Sequence, residues 1–140
     1  MRAIWYLAAM IVGVGTDILE TGRIRALIEK GGASFLDHWF TEEEIRYCNA
    51  KVKPFVHFAA RLSAKEAVAK SIRIEASMPV SWKDISIEKD ENGAPRAVLS
   101  GGPARRASHL GVTAIHVSIS HGDAYVTATA VAEKTEGAPV

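Results

Sequence analysis

The stretch His57-Phe58-Ala59-Ala60-Arg61-Leu62-Ser63-Ala64-Lys65-Glu66-Ala67-Val68-Ala69-Lys70-Ser71-Ile72-Arg73-Ile74 is the longest helical pattern in the chain, and its central position decides the fold class. Phe58 and Leu62 fall on one side of it, while Ala60, Ala64, Ala67 and Ser71 form a second side of small residues that lets a neighbouring backbone approach closely. Just upstream, Thr41-Glu42-Glu43-Glu44 is a capping box, predicting a helix that runs to about Ala50 with Pro54 beyond its end. Earlier still, Ile24, Leu27 and Ile28 are spaced for one helix face, and Gly31-Gly32 is expected to stop that helix. Ile11 to Val14 is a short apolar run of strand type closed by Gly15.

Downstream the period changes. Ile85-Ser86-Ile87 alternates, Asp90-Glu91-Asn92-Gly93 is a turn signal, and Ala97 to Leu99 can return as the partner strand. A short helical stretch around Pro103 to Leu110 precedes a second alternation, Ile115, Val117 and Ile119 against His116, Ser118 and Ser120. His121-Gly122-Asp123 makes a tip, and Tyr125 to Val131 runs back. Helices in the middle with strands at both ends predict a single α+β domain whose sheet is mainly antiparallel.

Length and composition agree with one soluble globular domain: 140 residues, 48% hydrophobic and 24% charged. A formal charge of +1 points to neither nucleic acid nor an anionic membrane, so a charged partner must be met by a local patch. The single cysteine, Cys48, excludes an internal disulfide and multi-cysteine metal sites, in keeping with a cytoplasmic location, and its helical setting predicts a small buried hydrophobe. The apolar run from Ala3 to Gly15 is too short to span a bilayer and lacks a small-residue cleavage site. Met10 stands directly before the strand. Residues 1–9 are therefore expected to be an extension upstream of the natural start, 10–133 the domain, and 134–140 a flexible tail.

Chemistry is suggested by two carboxylates from separate elements. Asp17 follows a Gly-x-Gly strand end, and Glu66, Lys70 and Arg73 fall within roughly sixty degrees of arc on an ideal helix. Hard carboxylate oxygens with cations beside them suit a divalent metal and phosphate. Gly13-x-Gly15 lacks the third glycine of a dinucleotide fingerprint and the lysine of a P-loop. His38, His57 and His109 have no partner at metal-ligand spacing. Arg23, Leu27 and Lys30 form a stripe with basic ends and an apolar centre, suited to an acidic partner helix.

Three blocks in order carry a family resemblance: Ile11 to Glu20 followed by Arg23-Ile24, then Phe58 to Lys70, then Val117-Ser118-Ile119-Ser120-His121. Trp82-Lys83-Asp84-Ile85 and Gly93-x-Pro95 stand between them. Together they resemble the small phosphopantetheinyl transferases of the holo-acyl-carrier-protein synthase type, from about Met10 to Ala132. The resemblance implies that family's α+β fold and transfer of 4′-phosphopantetheine from coenzyme A to a serine of an acyl carrier protein of fatty acid or polyketide synthesis. It implies Asp17 and Glu66 as ligands of Mg²⁺, and Lys70 as the group neutralising phosphate charge. Arg61, Gly93, Pro95 and His121 would contact the nucleotide end of coenzyme A, Lys70 its phosphates, and Arg23, Leu27 and Lys30 would dock the carrier. It also implies a homotrimer whose active sites lie between subunits, with no nucleic acid and no membrane span.

The chain departs from the family pattern at Arg73, where glycine is usual, at Ala69, where serine is common, and at Gly122, where threonine is common. A non-catalytic binding module for coenzyme A or a carrier protein is the competing reading. An unrelated metal-dependent phosphohydrolase is a third, disfavoured by the absence of the further carboxylates or histidines that a two-metal site needs.

Overall fold

The computed structural model describes residues 5–139, in the order β1 (Trp5–Glu20), α1 (Thr21–Trp39), α2 (Glu42–Asn49), α3 (Pro54–Ser71), β2 (Ile85–Lys89), β3 (Pro95–Leu99), α4 (Gly101–His109), β4 (Ala114–His121) and β5 (Tyr125–Pro139). A 3₁₀ turn at Trp82–Asp84 precedes β2. Residues 1–4 of the expected extension and Val140 of the expected tail lie outside the described residues. The strands form one three-stranded sheet, β1-β5-β4, and one hairpin, β2-β3, and every pairing is antiparallel. The α+β class therefore stands as expected.

Helix α3 lies across the inner face of the larger sheet, where Ala64, Ala67 and Val68 pack with Ala128 and Ala130 of β5. The helix backbone approaches β1 directly. A Cβ on Gly13 would collide with the carbonyl oxygen of Ser71, and one on Gly15 with that of Ala67. The Gly-x-Gly pair thus serves helix–strand packing rather than nucleotide binding, and the small side of α3 is its counterpart. A second cluster, with Ile24, Ile28, Phe40, Cys48, Phe58 and Leu62, joins α1 and α2 to the other end of α3.

The capping box at Thr41 is present in both directions. Elsewhere the bounds differ from the sequence pattern. The helix expected to stop at Gly31-Gly32 only breaks there, because Gly32 takes φ 57° and ψ −142° and the chain then resumes helical turns to Trp39. Pro54 lies beyond α2 as expected, but α3 starts there rather than at His57, with the proline in its first turn, where the missing N–H has no helical partner to lose. Strand β1 reaches back to Trp5 and pairs as far as Pro139 of β5, with Val12 as a bulge between the Ile11–Glu133 and Gly13–Ala132 pairs. Residues 5–9 and 134–139, expected as extension and tail, thus form a ribbon of paired strand. Among the described residues no helix is long and apolar enough to cross a membrane.

Candidate active site

Strand alternation turns Gly15, Asp17 and Leu19 inward, so Asp17 meets α3 just past the point where the two backbones touch. Its side chain is 14% exposed, and Lys70 Nζ lies 3.4 Å from Oδ1 while donating to the Thr16 carbonyl at 2.8 Å. The other oxygen, Oδ2, is buried and has no hydrogen-bond partner among the described residues. Glu66 stands one turn before Lys70. Burial first, then the charge of Asp17, push its carboxyl above the ordinary range, against the opposing pull of Lys70.

These features fit a hard divalent cation. Two like charges are crowded together with one oxygen lacking any donor, which a cation would satisfy. Among the described residues no group of three or more His, Cys, Asp and Glu could hold a metal, so the remaining ligands must come from water or substrate. That division of ligands suits magnesium on a phosphate better than a closed structural site.

Five residues before Glu66, and about 140° around the helix, Arg61 faces a separate cavity. It is 6% exposed, with its guanidinium carbon 3.8 Å above the Tyr47 ring and Nε unpartnered. Lys51 and Lys89 approach the same ring, at 4.5 and 5.1 Å. Burial alone would raise the Tyr47 phenol, but bonding to Lys89 and the charges of Arg61, Lys89 and Lys51 outweigh it and hold it below its ordinary value. The cavity, of about 180 Å³, brings together Arg61, Gly93, Pro95 and His121, the four residues expected at a nucleotide end. Among the described residues no carboxylate pairs with this buried arginine, further cations stand around it, and the cavity's Glu88 is paired with Arg96, which leaves a place for an anion.

Tyr47, Lys51 and Lys89 were not among the residues singled out from sequence, and His57 was set aside there for want of a metal-ligand partner. His57 had a signal, since it precedes Arg61 by four and so shares its helix face. Its ring lies 5.8 Å from that of His121. Burial, followed by the charges of His121, Lys51, Arg61 and Lys89, holds it below the ordinary histidine value. Arg23, Leu27 and Lys30 are all exposed on α1, and Cys48 is fully buried with its thiol pushed up to about 12 by desolvation. The carboxylate cluster and the basic cavity do not merge within one chain: they share no lining residue.

This fold and these two half-sites define a phosphate-handling transferase domain. The sequence model of the 4′-phosphopantetheinyl transferase superfamily matches residues 13–130, and the chain belongs to that family. It is 39% identical to the holo-[acyl-carrier-protein] synthase of Koribacter versatilis over 89% of this chain and 99% of that one. Among solved structures, the holo-[acyl-carrier-protein] synthase of Neisseria meningitidis superposes with a TM-score of 0.81 at 34% identity, covering 89% of this chain and all 100% of that one. The Bacillus anthracis holo-(acyl-carrier-protein) synthase, in complex with CoA (3′,5′-ADP), gives 0.72 at 30% identity, covering 89% and 98%.

Proposed function

We propose that this chain is a holo-[acyl-carrier-protein] synthase, which moves 4′-phosphopantetheine from coenzyme A to a serine hydroxyl of an apo acyl carrier protein and releases adenosine 3′,5′-bisphosphate. The observation that carries the reading is buried, unpaired Arg61 in a cation-rich cavity on the same helix as the Glu66 and Lys70 cluster. One half-site takes the nucleotide anion, and the other handles the phosphate that is transferred.

The serine oxygen bonds to the pantetheine-bearing phosphorus as the bond from that phosphorus to the bisphosphate oxygen breaks; the bisphosphate keeps the electron pair, and the serine proton passes to water. Such a transfer needs positioning and charge neutralisation more than covalent help, so the nucleophile can belong wholly to the carrier. Asp17 and Glu66 would hold Mg²⁺, which when bound neutralises charge on the pyrophosphate. Lys70 adds a second positive contact to those oxygens. Arg61, with Lys51 and Lys89, binds phosphate at the nucleotide end, while Gly93, Pro95 and His121 wall the base side. The exposed stripe of Arg23, Leu27 and Lys30 docks the acidic carrier. The catalytic unit spans residues 10–133, and the compartment is the cytoplasm.

The two half-sites are completed by assembly. Among the described residues no helix covers the outer face of β1-β5-β4, which presents Val14 and Ile18, at 56% and 63% exposure, among Thr16, Thr127 and Thr129. A homotrimer built on this face sets the Asp17 and Glu66 side of one protomer against the His121 hairpin of the next. The test is incubation with apo carrier, coenzyme A and Mg²⁺, read by intact mass. A phosphopantetheine adduct on the carrier is expected. No adduct on several carriers from folded protein overturns the reading, and binding without turnover would leave a coenzyme A module instead.

A further inference from the structure

His57 takes no part in the transfer itself, yet it lines the nucleotide cavity from the N-terminal end of α3, half-buried, together with Arg61 and His121. Its ring is 5.8 Å from that of His121 and 6.1 Å from that of Tyr47, the ring over which the Arg61 guanidinium lies. The imidazole thus connects the buried guanidinium to the wall that His121 supplies. Around it stand Tyr47 from α2, Lys51 from the loop after α2, Arg61 from its own helix, Glu88 and Lys89 from β2, and His121 from β4. Glu88 is engaged by Arg96 at 3.1 Å, so the surroundings that His57 meets are cationic or neutral. Burial, then the charges of His121, Lys51, Arg61 and Lys89, keep the imidazole neutral at pH 7 and above while the cavity is empty.

An anion reverses that balance. A phosphate seated on Arg61 offsets the repulsion from the cations and offers acceptors to a ring whose two nitrogens both donate once it is charged. Resting on the reading of this cavity as the nucleotide end of a coenzyme A site, we infer that His57 is a further nucleotide-binding residue, protonated as the phosphate enters and deprotonated as adenosine 3′,5′-bisphosphate leaves. Solvent supplies that proton and takes it back, and no bond of the donor changes. Donor binding and product release are then both linked to pH through one ring.

The test is calorimetry of adenosine 3′,5′-bisphosphate at pH 7.5 in two buffers of different ionisation enthalpy, which gives the number of protons taken up on binding. At that pH a phosphate monoester is already a dianion, its second pKa being about 6, so the protons are taken up by the protein. The unaltered protein is expected to take up at least about half a proton per bisphosphate, and His57→Phe about none. Between pH 6.5 and 8.5 the dissociation constant of the unaltered protein should also rise about fivefold more than that of the variant. His57→Gln, which keeps a polar side chain at this half-buried position, provides the same comparison if the phenylalanine variant does not fold. No uptake by the unaltered protein overturns the proposal. So does uptake that persists in the variants, which would assign the proton to another group, and so does a loss of affinity equal at every pH, which would leave His57 a structural wall. If the unaltered protein binds no bisphosphate, the nucleotide reading itself fails, and the role of His57 falls with it.

Discussion

The Lys65 ammonium lies 2.7 Å from Glu44 Oε1, and both side chains are buried, at 0% and 2% exposure. Lys65 also donates to the carbonyls of Trp82 and Ile85, at 3.0 and 2.6 Å, and Glu44 Oε2 accepts the Ile87 N–H at 3.1 Å. One ion pair thus ties α2, α3 and the start of the β2-β3 hairpin, which carries Gly93 and Pro95. Removing one partner strands the other charge, so Lys65→Met is expected to cost about 3–5 kcal/mol. Adding Glu44→Gln to it should recover part of that loss, because the stranded charge is gone. Urea midpoints of the two variants check the order.

Glu66 makes the site costly to stability. Its carboxyl is raised by burial and by Asp17, so the folded chain keeps that proton to higher pH than the unfolded chain does. The stabilisation is complete below the ordinary value of 4.5 and is lost as pH rises through the raised folded value. At neutral pH without divalent ions, Glu66→Gln is therefore expected to melt higher than the parent, with the gap shrinking toward pH 4.5. Mg²⁺ should raise the melting point of the parent but not of the variant, and turnover of the variant should fall at least about a hundredfold. Calorimetric melts from pH 4 to 8, with and without Mg²⁺, measure this.

The fold was legible because its local signals act within one element. Thr41 and Glu44 satisfy each other's backbone donors, and Ile115, Val117 and Ile119 alternate on a half-buried strand. Gly31-Gly32 misled because a glycine break ends a helix only when the next residues are not helical themselves, and Ala33–Trp39 are. Of the candidate site, the carboxylate cluster and Arg61, Gly93, Pro95 and His121 were legible in the sequence blocks, and the residues around the Arg61 guanidinium were not. Tyr47, Lys51 and Lys89 reach Arg61 only through tertiary packing of α2 and β2 against α3. Sequence spacing carries no trace of that.

Arg73 holds φ 56° at the C-terminus of α3, where Ile74 N–H bonds to Ala69 O and Arg73 N–H to Lys70 O. This is the Schellman pattern that favours glycine. The arginine recovers some of the strain by donating to the Val12 carbonyl at 2.9 Å, at the β1 bulge. Arg73→Gly removes a left-handed penalty of about 1–2 kcal/mol against one exposed hydrogen bond, so a net gain of roughly 0.5–1 kcal/mol is expected. Arg73→Ala keeps the strained φ and loses the bond, so it should destabilise. Opposite signs in thermal melts are the outcome to look for, and equal signs would refute the account.

The separation of the two half-sites within one chain allows a test by mixing. Asp17→Ala removes a carboxylate from the metal cluster, and His121→Ala removes a wall of the nucleotide cavity on the opposite side of α3. Each variant alone should be nearly inactive. If each active site combines the Asp17 side of one protomer with the His121 side of another, co-refolded mixtures rebuild intact sites from one unaltered half of each. With equal amounts and random assembly, about a quarter of the sites pair an unaltered Asp17 with an unaltered His121. Activity should therefore rise from near zero in either pure variant to about a quarter of the parent level per site. Were both halves drawn from the same protomer, every site would contain one defect and mixing would restore nothing. Mixing without subunit exchange supplies the control, because recovery must then wait for refolding.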